Sequence, residues 1–253
     1  MKYNLLKFGE KYLQKVLTNF FHNHKIIIRI LVISLLFFNF FGCSNKVEEK
    51  YPNGKIKSTG DKINNKMEGM WTFLWENGNL KAEGKFINGD GGNIGSIGIP
   101  INGRDSLWKT YYENNKLETE QYYKNGKRIS YFLYKENGDE VGELLEISGN
   151  ELYFTKRITK DFAEKFGDYL KNLGWFTKLE DSSGKSASID KLGGTFRLSI
   201  CAKEGIENDP ENINALKFMT IALSNGFFNR QPVDIAIVDN NFKTIRVIPF
   251  QGK

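Results

Sequence analysis

Two pairs of closely spaced carboxylates are the residues best suited to chemistry in this 253-residue sequence. They are Glu118 with Glu120, and Asp139 with Glu140. Two such groups can hydrolyse a glycosidic bond, one as general acid and the other as nucleophile or base. Both pairs lie beside predicted turns and are interleaved with lysines, which is typical of a solvated surface. We therefore predict no catalytic residue, and a carboxylate-pair hydrolase is the enzyme alternative.

The other residue types that commonly carry chemistry are scarce. Both histidines, His22 and His24, lie within the first 42 residues. Without that segment the chain has no histidine for a nucleophilic triad or for the usual zinc sites. Cys201 lies in a predicted strand, where a buried structural cysteine is expected. The sequence therefore predicts a protein that is not an enzyme and that binds no metal and no cofactor.

Residues 1–42 have the pattern of an export signal. They carry six lysines and arginines against Glu10 alone, and an apolar run extends from Ile30 to Phe41. A run of this length forms roughly 18 Å of helix, too short for a hydrocarbon core of about 30 Å. A basic segment, a short apolar run and small residues together predict a cleaved signal peptide. An uncleaved signal-anchor over 26–41 is the alternative.

The end of this run, Phe40-Phe41-Gly42-Cys43-Ser44, resembles the lipobox of bacterial lipoproteins through Gly42 and Cys43. The resemblance implies cleavage before Cys43, a lipid on Cys43, and a protein anchored to a membrane of the bacterial cell envelope. Removal of 42 residues leaves 211, with 30 Lys and Arg against 29 Asp and Glu. This balance gives little drive for counterion release, so no nucleic-acid partner is expected. Polar residues 43–50 are predicted to be a tether.

Evenly spaced asparagine turns divide the region 51–142. Asn-Gly or Asn-Asn pairs recur every 11 to 14 residues, from 53–54 to 137–138. Asn-Gly favours type I′ turns, in which both residues have positive φ, and apolar residues alternate with polar ones between the pairs. The spacing predicts antiparallel β-hairpins that stack into an extended, solenoid-like sheet. The glycine-rich segment 89–103 is predicted to be a flexible insertion that spreads the array apart.

Parts of this region resemble a known family. The segments 51–57, 69–81 and 107–117 look like MORN-type repeats, and more narrowly they are similar to the bacterial "toxin-antitoxin system YwqK family antitoxin". The resemblance implies a repeat surface that binds another macromolecule. The aromatic side chains between the turns are candidates for that surface, although aromatic residues at alternate positions more often pack in a core. The candidates are Trp71, Trp75, Trp108 and Tyr112.

From residue 151 onward helical periodicity replaces the turns. Thr159 is the predicted N-cap of a helix that ends at Gly174, and Asp209-Pro210 predicts the start of a second helix that ends at Gly226. The strand candidates are 175–179, 187–192, 195–202, 233–238 and 244–248. This order predicts an α+β domain over 151–253, with two helices on one antiparallel sheet. The fold class is therefore an all-β hairpin repeat followed by an α+β domain.

Together these patterns favour a non-enzymatic, lipid-anchored protein of the cell envelope. Its repeat sheet would bind a protein or an envelope polymer as a scaffold. The antitoxin resemblance provides the alternative, an envelope immunity protein that neutralises a specific toxin.

Overall fold

The structure, a computed structural model, describes residues 45–176 and 184–252. This part of the chain contains thirteen strands, the helices α1 (Lys160–Asn172) and α2 (Pro210–Gly226), and a short 3-10 helix, Ile206–Asn208. The strands are β1 (Asn45–Lys50), β2 (Ile56–Ile63), β3 (Lys66–Leu74), β4 (Leu80–Gly89), β5 (Arg104–Tyr111), β6 (Leu117–Lys124), β7 (Lys127–Tyr134), β8 (Glu140–Ile147), β9 (Asn150–Phe154), β10 (Ser186–Leu192), β11 (Thr195–Cys201), β12 (Val233–Val238) and β13 (Thr244–Ile248).

All thirteen strands form one sheet, and their order in space follows their order in the chain. From β2 to β9 each strand is antiparallel to the next. β9 is parallel to β10, and β11 is parallel to β12, with α1 and α2 in the two connections. Parallel neighbours need such crossovers, because a tight turn cannot join them. The expectation of two helices on a sheet is confirmed, but that of a purely antiparallel C-terminal sheet is wrong.

The hairpins use different turns at the two edges of the repeat region. At 64–65 and 125–126 both residues have positive φ, as predicted for type I′ turns. At the other edge only Gly54 of the pair at 53–54 has positive φ, and its N–H donates to the carbonyl of Tyr51 at 2.9 Å. This is a type I turn followed by a bulge, and it recurs at 75–79, 112–116 and 135–139. The type I′ prediction is wrong for this edge, because Asn53 accepts the Lys55 N–H through its side chain instead.

Aromatic residues form a buried cluster on one face of the repeat sheet, which we call the inner face. Its rings are closely packed: Phe86 and Trp108 lie edge to face, with their centroids 4.8 Å apart. Ile99 of the insertion lies on this cluster and is only 1% exposed. β4 and β5 still pair, with Phe86 opposite Arg104. The prediction that the insertion spreads the array is therefore wrong, since the insertion covers the core.

Both helices pack on the opposite face of the sheet, the outer face, against strands β8 to β13. The predicted N-caps are confirmed: the Thr159 hydroxyl accepts the Phe162 N–H at 3.3 Å, and the Asp209 carboxylate accepts the Glu211 N–H at 2.9 Å. Gly174 follows α1 with φ +75°, which is the expected end signal. The core beneath the helices includes Leu152, Phe166, Leu170, Ile189, Leu198, Leu223, Ile235 and Ile237.

The inner face of β7 to β9 also contacts the β12–β13 hairpin. The rings of Tyr153 and Phe242 lie edge to face, with centroids 5.3 Å apart, and Val141 and Val238 pack beside them. This contact joins the repeats to the C-terminal end of the sheet. Residues from Lys46 onward form one compact unit, so separate domains over 51–142 and 151–253 are not confirmed.

Most of the predicted tether is a strand. Residues 45–50 form β1, which is hydrogen-bonded to β2 at the N-terminal edge of the sheet. Val47 packs against the aromatic cluster, and Glu49 accepts a hydrogen bond from the Ser58 hydroxyl at 3.1 Å. The tether prediction is wrong for these residues, because one apolar side chain and free backbone groups on a neighbouring strand are enough to order a polar segment.

Several predictions concern parts of the chain outside the described residues. The signal peptide over 1–42, its cleavage at Gly42 and the lipidation of Cys43 all fall there. Most of the strand predicted at 175–179 also lies outside, and its first two residues form a bend. Within 45–176 and 184–252, no helix combines the length and apolar character that crossing a membrane requires.

Candidate functional site

Two of the four predicted binding-surface residues are core residues. Trp71 is 1% exposed and Trp108 is fully buried. Each indole ring lies directly over a glycine of the preceding strand, Trp71 over Gly60 and Trp108 over Gly84. A Cβ atom at either glycine would clash with the ring, so glycine is what lets the tryptophan lie flat on the sheet. The prediction of Trp71 and Trp108 as surface residues is wrong, because this face of the sheet is covered.

The other two, Trp75 and Tyr112, are half-buried and connect successive repeats. The Trp75 indole N–H donates to the carbonyl of Tyr111 at 3.0 Å. The Tyr112 hydroxyl donates to the carbonyl of Tyr134 at 2.7 Å, one repeat further along the chain. Tyr51, at the equivalent position of the first repeat, donates to Leu74 at 2.7 Å. These side chains therefore form a ladder along one edge, and their polar atoms are engaged within the protein.

The inner face becomes polar in the repeat formed by β5, β6 and β7. Alignment of the repeats on their turns places Thr110 at the position of Phe73, and Gln121 at the position of Gly84. In the same way, Thr119 replaces Ala82 and Tyr123 replaces Phe86. All four of the new side chains remain buried: Thr110, Thr119, Gln121 and Tyr123. A sequence position that packs apolar groups in one repeat thus holds hydrogen-bonding groups in the next.

These polar side chains form one continuous hydrogen-bond network. Tyr123 donates to the Gln121 carbonyl oxygen at 2.8 Å, and the Gln121 amide donates to Thr119 Oγ1 at 2.9 Å. Thr119 and Thr110 share a hydrogen bond of 2.7 Å, and the Thr110 hydroxyl lies 2.9 Å from Glu118 Oε2. Buried polar groups normally find partners in this way, since an unpaired one costs about 1–3 kcal/mol.

Arg104 also belongs to this network and precedes its other members in the chain. Its guanidinium donates to the Tyr123 hydroxyl at 3.2 Å and, through Nε, to the Pro100 carbonyl at 2.8 Å. The guanidinium also lies 4.4 Å from the ring centroid of Trp108, within the range of a cation–π interaction. Burial lowers the pKa of Arg104 below its ordinary value. Arg104 therefore ties the insertion to the polar part of the inner face.

A cavity of about 320 Å³ lies over this network, and we call it the inner-face groove. The insertion forms one wall through Ile97 and Ile101, and Tyr131 and Leu144 come from the next two strands. Further polar groups line the groove: Arg128, Glu146, Glu151 and Tyr153. In the two preceding repeats a tryptophan over a glycine fills the corresponding space. Here Tyr131 and Gln121 occupy the positions of the tryptophan and the glycine, and they leave the corresponding space open.

The two glutamates of the first predicted carboxylate pair point to different faces. The register between β5 and β6 shifts after Thr110, so Glu118 lies in a β-bulge and reaches the inner-face groove. Glu120 instead accepts a hydrogen bond from Tyr134 at 2.8 Å and lies 3.9 Å from Lys109. Two carboxylates on opposite faces of a sheet cannot flank one glycosidic bond. The sequence spacing alone did not show this, because a bulge breaks the alternation of a strand.

The second pair is equally unsuited to shared chemistry. Asp139 lies in a turn, where its carboxylate accepts a hydrogen bond from Asn137 at 2.9 Å. Glu140 forms an ion pair with Lys156, with Nζ and Oε1 3.3 Å apart. Each carboxylate thus has its own neighbour within the fold.

Two tyrosines of the groove, Tyr131 and Tyr153, are hydrogen-bonding groups in their neutral form. Burial, followed by the nearby charge of Glu118, raises the pKa of Tyr131 to about 12. Burial and the charge of Glu151 also raise the pKa of Tyr153. Their ring centroids are 6.5 Å apart. The groove therefore offers hydroxyls, an amide, carboxylates and ring edges around one cavity at neutral pH.

Cys201 lies beside a second and larger cavity of about 1100 Å³, which shares Glu151 and Tyr153 with the inner-face groove. It is half-buried, whereas the sequence predicted a buried structural cysteine. Burial and the carboxylates of Asp239 and Glu151 raise the pKa of its thiol to about 11. Cys201 is therefore protonated at neutral pH and is a poor nucleophile. Within the described ranges no cluster of His, Cys, Asp and Glu is arranged to hold a metal ion.

Comparison with known families agrees with the hairpin geometry. Residues 67–88, which cover most of β3 and of β4, and residues 104–125, which cover β5 and β6, match the family model described as MORN repeat variant. These two hairpins are therefore similar to the MORN repeat variant. The expected MORN resemblance is confirmed for these segments, and the narrower similarity to YwqK-family antitoxins stays a prediction. The polar inner face begins in the second of the two matched segments.

The comparison with solved structures adds no functional information. A protein described as "GtfA/B complex bound to UDP and GlcNAc" matches at 10% identity with a TM-score of 0.19. The match covers 79% of this chain and 42% of that one, so the chain spans less than half of its length. A TM-score this low carries no argument about fold or ligand. No curated protein matches the chain.

Proposed function

We propose that this protein is a non-enzymatic, lipid-anchored protein of the bacterial cell envelope that binds a macromolecular partner along its repeat sheet. The observation that carries the proposal is the inner-face groove, where a buried polar network borders open space. A polar network of this kind is not needed for stability, because apolar residues such as Phe73 and Phe86 pack well at the equivalent positions. A binding role explains why polar groups from β6 to β9 converge on one open space.

The non-enzymatic part of the proposal is supported by the chemistry of the groove. Tyr131 and the nearest thiol, Cys201, both hold their protons at neutral pH, because the pKa of each is raised. Glu118 is the one carboxylate of the predicted catalytic pairs that reaches the groove. These groups suit recognition by hydrogen bonds better than nucleophilic or acid–base catalysis.

The envelope location rests on the sequence of the N-terminal segment. The basic residues, the apolar run and Gly42-Cys43 together support cleavage and acylation at Cys43. Cys43→Ala should release the protein from membranes in a cell fractionation experiment. A Cys43→Ala protein that stays fully membrane-bound at its unprocessed mass would instead support the uncleaved signal-anchor.

Site-specific crosslinking in the native bacterium tests the binding role of the groove. A photoreactive benzoylphenylalanine in place of Tyr131 would face the groove, and the same group in place of Tyr122 would face the other side of the sheet. We expect a crosslinked adduct from position 131 and none of the same mass from position 122. Adducts from neither position would refute binding in the groove.

The immunity alternative predicts a more specific result. An envelope immunity protein would hold one toxin, so crosslinking at the repeat sheet should yield a single protein adduct of fixed mass. The resemblance of 51–57, 69–81 and 107–117 to YwqK-family antitoxins is what supports this alternative. Adducts with a polymer of graded length would favour the envelope-polymer partner instead.

A further inference from the structure

We infer that the inner-face groove binds a saccharide chain, with one sugar unit seated over Gln121 between Tyr131 and the insertion. The inference rests on the proposed binding function and names the class of ligand for the same groove. Three observations carry it: the unused hydrogen-bonding capacity of the network, the balance of charge, and the mixture of apolar and polar walls.

The network leaves a specific set of hydrogen-bonding positions open to a ligand. Gln121 uses one amide hydrogen toward Thr119 and one carbonyl lone pair toward Tyr123, which leaves one donor and one acceptor. Glu118 receives its hydrogen bond from Thr110 through Oε2, and Oε1 remains open. An amide and a carboxylate that line one cavity suit the hydroxyl groups of a sugar, because each hydroxyl both donates and accepts.

The charges of the groove favour a neutral ligand over an ionic one. Three carboxylates and two guanidinium groups line it, so the opposite charges nearly cancel. Arg128 lies 3.8 Å from Glu146, and Arg104 is engaged by carbonyls and by Tyr123. A phosphate would find no excess of positive charge, and a polyamine would find an excess of only one carboxylate.

The walls and the size of the groove also suit a sugar ring. Ile97, Ile101 and Leu144 offer apolar surface to the C–H face of a ring, and Tyr131 adds an aromatic side chain. The volume of 320 Å³ is at the lower end of the roughly 300–1,000 Å³ of ligand pockets. The neighbouring cavity of 1100 Å³ shares Glu151 and Tyr153, which gives a longer chain room to continue. An oligosaccharide should therefore bind more tightly than its monomer.

The experiment is a calorimetric titration of the full chain, isolated from its membrane in detergent, with three soluble probes. These probes are cellotetraose, maltotetraose and chitotetraose, which differ in linkage and in the acetamido group. We expect at least one of them to bind more tightly than its monosaccharide. If none of the three binds, the saccharide assignment is wrong.

Variants of two glutamates on one strand locate the site. Glu118→Gln removes the charge from an acceptor in the groove, and we expect binding to weaken roughly 10-fold, the equivalent of losing one charge-assisted hydrogen bond. Glu120→Gln is the matched control, because Glu120 lies on the opposite face and should leave binding unchanged. Equal effects of the two variants would contradict the site.

A further variant tests the groove by filling it. Gln121→Gly combined with Tyr131→Trp would recreate the glycine and tryptophan pair of the preceding repeats and fill the groove. We expect this double variant to fold and to lose binding of the probe. If it folds, as judged by circular dichroism, and still binds normally, the groove is not the site.

The outcomes separate this inference from the proposed function. Crosslinking from position 131 without binding of any probe would leave the envelope-binding function standing and refute the saccharide. Failure of both experiments would refute both.

Discussion

The packing of Trp108 on Gly84 predicts that adding one methyl group, in Gly84→Ala, lowers the stability of the protein. A Cβ atom at Gly84 would lie 2.6 Å from Cγ of the Trp108 ring, where carbon atoms normally stay about 3.5 Å or more apart. The ring has little freedom to move away. Its N–H is bonded to the carbonyl of Lys85 at 3.0 Å, and Phe86 and Arg104 pack against it.

The expected cost of Gly84→Ala follows from these contacts. Forcing extra volume into a packed core costs about 1–3 kcal/mol. A shift of the ring by about 1 Å would also break the hydrogen bond to Lys85, at about 0.5–1.5 kcal/mol. We therefore expect the free energy of unfolding to fall by about 2–4 kcal/mol, which lowers Tm by roughly 10 °C in a chain of this size.

Urea denaturation followed by circular dichroism measures this loss, and a glycine elsewhere provides the control. Gly194, in the turn between β10 and β11, has open space around its would-be Cβ and no positive φ. Gly194→Ala should therefore be neutral or stabilise the protein by up to about 1 kcal/mol. If Gly84→Ala proves as harmless as Gly194→Ala, the description of the tryptophan packing is wrong.

Three further predictions concern other parts of the fold. Trp75→Phe should lower the free energy of unfolding by about 1 kcal/mol in urea titrations, because the carbonyl of Tyr111 loses its donor; no change would mean that the ladder contributes nothing. Folding raises the pKa of Tyr131 from 10.0 to about 12, so the folded state holds this proton more tightly than the unfolded state. The stabilisation is complete below pH 10 and is lost as the pH rises through 12, so the urea midpoint should fall in that interval; a constant midpoint would contradict the shift. In a Cys43→Ala protein at neutral pH, Cys201 should react with iodoacetamide slowly until urea unfolds the chain, because its pKa is raised to about 11; equal rates with and without urea would refute this.

The features that the sequence predicted well are those encoded locally. The hairpins of 51–142 follow from the spacing of their turns, and both helices begin at the predicted caps, Thr159 and Asp209. Such signals involve residues within a few positions of one another, so a single sequence is enough to recognise them.

The boundary of the repeat was harder to predict because its last turn has another composition. Ser148 and Gly149 have positive φ and join β8 to β9 in the same way as an Asn-Gly pair. The sheet therefore continues past the point where the asparagine turns stop. The parallel pairs β9–β10 and β11–β12 depend on contacts across whole helices, which no local pattern specifies.

The groove was missed for a related reason. Alternation shows that Trp71 and Trp108 share a face, but it does not show whether that face is covered. The insertion that covers it, and the bulge that turns Glu118 inward, both interrupt the alternating pattern. A comparison of the repeats with one another would have revealed the exchange of Gly84 for Gln121.

The agreement between chain order and strand order has an evolutionary consequence. A sheet in which every strand lies beside its neighbour in the chain can lengthen by tandem duplication of one hairpin-sized unit, without changing the pairing of the existing strands. Copies made in this way begin identical and then diverge. On such a lineage a hairpin that once served only as packing can acquire new contacts of its own, while the copies on either side continue to hold the framework.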